Sequence, residues 1–142
     1  MITATTAAVR DVKRSRARAL CAVGGAAAAA IAWSLEVPLL GIRLSIRFGG
    51  MNPQTVVAGQ VIGAALVAGL LGWLLLAALD RHAPRPRAAW TVAALIVLAA
   101  SLALPLAAAT TTSAAVGLIV LHLVVGAVVI PGMARTARHR GL

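Results

Sequence analysis

The stretch PQTVVAGQVIGAALVAGLLGWLLLAALDRHAPRPR, residues 53–87, decides the fold. From Pro53 to Leu79 it carries no charged side chain. At about 1.5 Å of rise per residue, a helix of that length crosses the ~30 Å hydrocarbon layer of a bilayer with room for tilt. The run ends in Arg81, Arg85 and Arg87, interrupted by Pro84 and Pro86. An apolar run of this length closed by cations reads as a transmembrane span and its flanking loop.

Three more runs of the same kind lie on either side, over residues 19–40, 88–109 and 113–133. Of the 142 residues, 61% are hydrophobic and 11% charged, against about a quarter charged in soluble domains. That much apolar surface suits lipid and not water. Lipid leaves unpaired backbone groups without partners, so the spans must be helices. The expected fold is an all-α membrane protein, an antiparallel bundle of four transmembrane helices. A basic tail at 1–18 and a second at 135–142 flank a transmembrane domain at 19–134.

Orientation follows from the cations. Arg10, Lys13, Arg14, Arg16 and Arg18 precede the first span. Arg81, Arg85 and Arg87 join the second to the third, and Arg135, Arg138 and Arg140 follow the fourth. Those eleven fall on one side, and only Arg43 and Arg47 fall on the other. The positive-inside rule predicts both termini in the cytoplasm. The net charge of +10 is therefore read as anchoring charge beside anionic lipid and not as a nucleic-acid surface. The first span follows a basic segment but is longer than a signal-peptide core and lacks a cleavage box, so it is expected to stay as a helix. Trp33 and Trp90 lie near span ends, where interfacial anchors sit, whereas Trp73 is expected between helices.

Several chemistries are excluded. Cys21 stands alone, which removes an intramolecular disulfide and any paired-thiol relay such as a quinone-linked disulfide oxidase uses. It also opens an apolar run and follows Arg18-Ala19-Leu20, unlike a lipoprotein site. His82 and His139 are isolated in polar segments, so no metal site is expected. Paired acids, a Ser-His-Asp arrangement and a phosphate loop are all lacking. The chain reads as no enzyme, with no cofactor.

Between the first two spans, Ile42, Leu44, Ile46 and Phe48 alternate with Arg43, Ser45 and Arg47, bounded by glycines. Period two is that of a strand with one apolar face, and a short β-like segment at 41–50 is expected. A lone strand needs a partner: either the Thr110-Thr111-Thr112 turn or the same segment of a second subunit. An irregular loop dipping into the interface is the alternative. Asn52-Pro53 reads as the cap and first position of the second helix.

Gly59, Gly63 and then Gly69 place small residues along the second span, and Gly24-Gly25 with Ala26 to Ala30 do so in the first. Such faces let helices approach closely. Polar residues inside spans are costly and mark candidate sites. Glu36, Gln60, Ser101 and His122 all fall at or outward of the midplane, with Arg43 and Arg47 above them, so the six form a candidate outward-opening pocket. Each also has a plainer role. Glu36 can pair with Arg43 or Arg47, Gln60 can bond across a helix contact, and Ser101 can bond its own helix beside Pro105. His122 lacks a second ligand at i±3 or i±4 and fits a hydrogen-bonded structural histidine.

The segments VPLLGIRL (37–44), GWLL (72–75), AWT (89–91), SLALP (101–105), LHL (121–123) and IPG (130–132) resemble a family of small four-span proteins from high-GC Gram-positive bacteria, domain of unknown function 6069. The resemblance covers roughly Arg18 to Arg135. It implies a four-span fold in a bacterial cytoplasmic membrane and carries over no activity and no functional residue. Small multidrug-resistance transporters share the span count but depend on a glutamate deep in the first helix, whereas Glu36 lies near the surface. Two functions are expected to compete. One is a non-enzymatic membrane protein acting through helix contacts with itself or a membrane partner. The other is a transporter or channel component using the polar pocket.

Overall fold

The computed structural model describes residues 2–138. Met1 and residues 139–142 lie outside it, His139 and Arg140 of the expected tail among them. Within the described residues, four helical stretches are long and apolar enough to cross a membrane: Asp11–Leu39, Ala58–His82, Pro86–Ala108 and Thr112–Ala134. The four-helix membrane fold is thus present.

Helix α1 runs Ile2–Ser34. The basic stretch expected as a separate tail is its first half, because alanine, arginine and lysine are good helix formers. Pro38 decides how α1 ends. It has no N–H, and its ring would meet the carbonyl of Ser34. The hydrogen-bond ladder widens instead, and the Leu40 N–H donates to the Leu35 carbonyl at 3.0 Å. The outcome is a π-helical turn over Leu35–Leu39. Gly41, with φ 68°, then reverses the chain in a conformation that disfavours side chains.

Two short strands follow, β1 (Ser45–Ile46) and β2 (Gln54–Thr55), paired antiparallel with Ser45 opposite Thr55. The other edge of β1 meets the corner before the last helix: Arg47 N donates to Ala108 O at 2.8 Å and Thr110 N to Ser45 O at 3.1 Å. The Ser45 and Thr110 hydroxyls share a short hydrogen bond. The expected partner at Thr110 is therefore found. The second partner, β2, comes from residues expected to begin a helix. Because β1 engages Gln54 and Thr55, helix α2 starts only at Ala58 and runs to His82. Its cap comes from within: the Gln60 side-chain oxygen accepts from Val57 N at 3.1 Å.

The third span is two helices, α3 (Pro86–Ser101) and α4 (Ala103–Ala108), broken at Leu102. Pro105 cannot donate to the Ser101 carbonyl, which breaks the ladder there. Helix α5 (Thr112–Ala134) opens with Thr111 Oγ1 accepting from Ala114 N at 3.1 Å.

Helix α1 lies between α2 and α5, while α3 packs against both α5 and α2. The buried stripe of α1, continued into the π-helical turn, is Arg18, Ala22, Gly25, Ala26, Ala29, Ala32 and Glu36, at helical spacing. Its small middle lets the partners close in. A methyl placed on Gly69 would lie 2.8 Å from Ala22 Cβ, and one on Gly25 would lie 2.6 Å from Val129 Cγ2. Gly59 and Gly63 have nothing within 4 Å of that position, so that part of the expected packing face is bare within the described chain.

Trp90 differs from the expected interfacial anchor. It is buried beside Gly72, whose missing side chain makes room for the ring, and its indole N–H donates to Ile130 O at 3.0 Å. Trp33 donates to Val56 O at 3.2 Å and so ties the hairpin's return leg to α1.

Candidate functional site

The six polar residues expected to share one pocket separate into three places. Gln60, Ser101 and His122 line a common groove of about 710 Å³ whose walls are α2 and α3–α4 and whose floor is α5. Trp90 lines it toward the chain termini, and Ile46 and Phe48 line it toward the hairpin. The walls of the groove, α2 and α3, meet where Trp90 packs on Gly72 but leave most of their surface unburied within the bundle. In their most apolar windows only 17% and 11% of residues are buried, against 33% in α1 and in α5.

Each polar group in the groove is satisfied locally and keeps one function spare. His122 Nδ1 lies 2.6 Å from the Leu118 carbonyl one turn back. A carbonyl only accepts, so Nδ1 carries a proton, and in a neutral ring Nε2 is then the acceptor. Gln60 spends its oxygen on Val57 and keeps its amide N–H groups. The Ser101 hydroxyl donates to Leu98 O at 2.7 Å and keeps its lone pairs. The groove therefore offers two acceptors and an amide donor on otherwise hydrocarbon walls, and no charged side chain lines it.

Glu36 is not part of the groove. It is 6% exposed, on the inward stripe of α1. Neither carboxyl oxygen has a hydrogen-bond partner among the described residues. The expected ion pair with Arg43 or Arg47 does not form among the described ion pairs, and the strand period explains why. Leu44 turns inward and is fully buried, while Arg43 and Arg47 share the opposite, exposed face. What faces Glu36 is Gly117 of α5 together with Leu44. A methyl on Gly117 would lie 2.7 Å from Leu44 Cδ2 and 3.0 Å from Glu36 Oε2.

At the opposite end of the same stripe sits a charge cluster that inspection of the sequence did not single out. Arg18 Nη2 lies 2.5 Å from Asp80 Oδ2, with both side chains almost fully buried. Arg18 also donates through Nε to Thr136 Oγ1 at 3.1 Å and through Nη2 to the Thr136 carbonyl at 3.2 Å. Asp80 Oδ1 accepts from the backbone N–H of Arg138 at 3.0 Å. Arg138 reaches Asp11 as well, at 3.3 Å. This knot ties α1, α2 and the segment after α5 together where the termini lie. An acid in the last turn of a helix opposes its dipole, and Asp80 before Arg81 was the signal that a partner was needed.

No group of three or more His, Cys, Asp or Glu side chains that could hold a metal occurs among the described residues.

A family model described as a family of unknown function (DUF6069) matches residues 9–139. The chain belongs to this family. No curated protein and no solved structure matches it.

Proposed function

We propose that this member of the family is a non-enzymatic protein of the bacterial cytoplasmic membrane. Both termini are cytoplasmic, and the α2–α3 groove holds an uncharged, lipid-like molecule. One observation carries this reading: a groove of about 710 Å³ with apolar walls and only Gln60, Ser101 and His122 as polar lining. Ligand sites are typically ~300–1,000 Å³, mostly apolar, with a few convergent polar groups. A ligand hydroxyl can donate to His122 Nε2 or accept from Gln60. The occupant is therefore a long hydrocarbon or isoprenoid chain bearing one. The absence of charge in the lining disfavours an anionic headgroup.

The test is mass spectrometry of the protein extracted gently from its native membrane. A neutral hydroxyl lipid should be retained in a fixed ratio, and Ala68→Phe, which fills the groove wall, should release it. Recovery of bulk lipids in bilayer proportion from both proteins would contradict the proposal.

A second reading, action through helix contacts with another copy or a membrane partner, is favoured by Gly59 and Gly63. Glycines with nothing within 4 Å leave a notch where a second helix could approach. Crosslinking in native membranes decides it. A dimer or partner adduct lost in Gly59→Leu supports this reading, and a strictly monomeric protein opposes it.

A further inference from the structure

Among the described residues, the only buried side-chain oxygens without a hydrogen-bond partner are the two of Glu36. A bare carboxylate enclosed by hydrocarbon is far more costly than the neutral acid, so its charge must be answered.

The elements packed around it contribute no counter-ion. On the hairpin, Arg43 and Arg47 are exposed on the face opposite Leu44. On α5 the titratable residue is His122, which lines the groove and commits Nδ1 to Leu118. Helix α2 has none before Asp80, which is held by Arg18 at the far end of the bundle. A metal ion needs several oxygen donors, and no such group of side chains is present among the described residues. An organic cation needs space, and even one methyl on Gly117 would collide with Leu44 and press on Oε2. A proton needs neither further ligands nor room.

The local backbone is built for a site. Pro38 forces the π-helical turn that carries Glu36, a feature frequent at functional positions. The Glu36 carbonyl is meanwhile engaged by Ile42 N at 2.9 Å, so the hairpin starts from the residue it covers. Leu44, fully buried, closes the carboxyl from the hairpin side. The hairpin is held on the bundle by the Ser45–Thr110 hydroxyl and backbone bonds, the Arg47–Ala108 bond, the Trp33–Val56 bond and the burial of Leu44 and Val56.

We propose that Glu36 is a proton-binding site, loaded and emptied from the hairpin side when the hairpin lifts Leu44 away. In the closed form the proton resides on a carboxyl oxygen. In the open form it passes to water and the carboxylate is hydrated.

Infrared spectroscopy of the full chain in bilayers tests the first half. The chain has only three acidic side chains, Asp11, Glu36 and Asp80, so a protonated-carboxyl band is readily assigned. The band should be present at neutral pH, shift in heavy water, vanish in Glu36→Gln and persist in Asp11→Asn. A wild-type spectrum without it, or a Glu36→Gln spectrum that keeps it, overturns the proposal. Modification by a hydrophobic carbodiimide, which attacks protonated carboxyls, gives a second measurement on the wild-type chain: peptide mapping should find the adduct on Glu36 and not on Asp80.

For the second half, Ser45→Cys and Thr110→Cys are introduced with Cys21→Ala. The oxidised crosslink should slow carbodiimide modification several-fold, and reduction should restore it. A rate indifferent to the crosslink shows that the hairpin does not control access.

Discussion

At the residue scale, the two ends of one helical stripe behave oppositely. Arg18 and Glu36 both belong to the same buried face, but Arg18 has Asp80 and Thr136, while Glu36 lies by Gly117 and Leu44 with no hydrogen-bond partner among the described residues. The stripe was not read from the sequence, where the unbroken run Ala26 to Ala30 marks no single face. Once the structure places Ala29 inward, counting by three and four reaches Ala32 and Glu36 on the same face. Its expected pairing with an arginine failed because the same period that turns Leu44 inward turns Arg43 and Arg47 out. Asp80 escaped notice because it closes an apolar run beside Arg81 and reads as part of a polar loop. Removing one partner of a buried ion pair leaves the other uncompensated, so Asp80→Asn should cost ~3–5 kcal/mol. Replacing both, as Arg18→Met with Asp80→Leu, should cost less than either single change. Equilibrium unfolding in mild detergent measures both. Single losses below about 1 kcal/mol, the range of exposed pairs, would mean that the knot is solvated.

At the element scale, proline position governs where helices stop, and each stop has a visible consequence. Pro38 widens the end of α1, Pro53 lies in the hairpin turn, and Pro105 splits α3 from α4. The period of residues 42–48 was readable, and so was Thr110 as a partner. β2 was not readable, because two residues carry no period and Asn52-Pro53 imitates a helix start. Pro38→Ala should restore the four-residue ladder, turn Glu36 and loosen the hairpin. Hydrogen exchange should then speed up at Arg47 and Thr110, whose amides bond across that junction. Unchanged protection at both would show that the proline does not set the turn.

The glycines of α2 make a second contrast at this scale. Gly69→Leu collides with the Ala22 backbone and should destabilise the bundle by at least the ~1–3 kcal/mol of overpacking. Gly59→Leu and Gly63→Leu meet nothing and should stay within about 0.5 kcal/mol, as surface changes do. Equal losses at all three positions would contradict the packing described. From the sequence the three glycines look alike; only the register of α2 against α1 separates them.

At the scale of the whole molecule, the length and spacing of the apolar runs already determined four spans, because a bilayer admits few alternatives. The groove was not legible. It results from how little of α2 and α3 is buried within the bundle, a property of packing that no single span carries. The proposed sidedness gives the parts their meaning: the charge knot lies among the cytoplasmic cations, while the hairpin and Glu36 face outward. Labelling of single cysteines in intact cells, in a Cys21→Ala background, tests this arrangement most directly. Gly50→Cys, in the hairpin turn, should react with a membrane-impermeant maleimide, and Arg85→Cys should react only after the membrane is opened. The reverse pattern, or equal labelling of both positions in intact cells, would contradict the account.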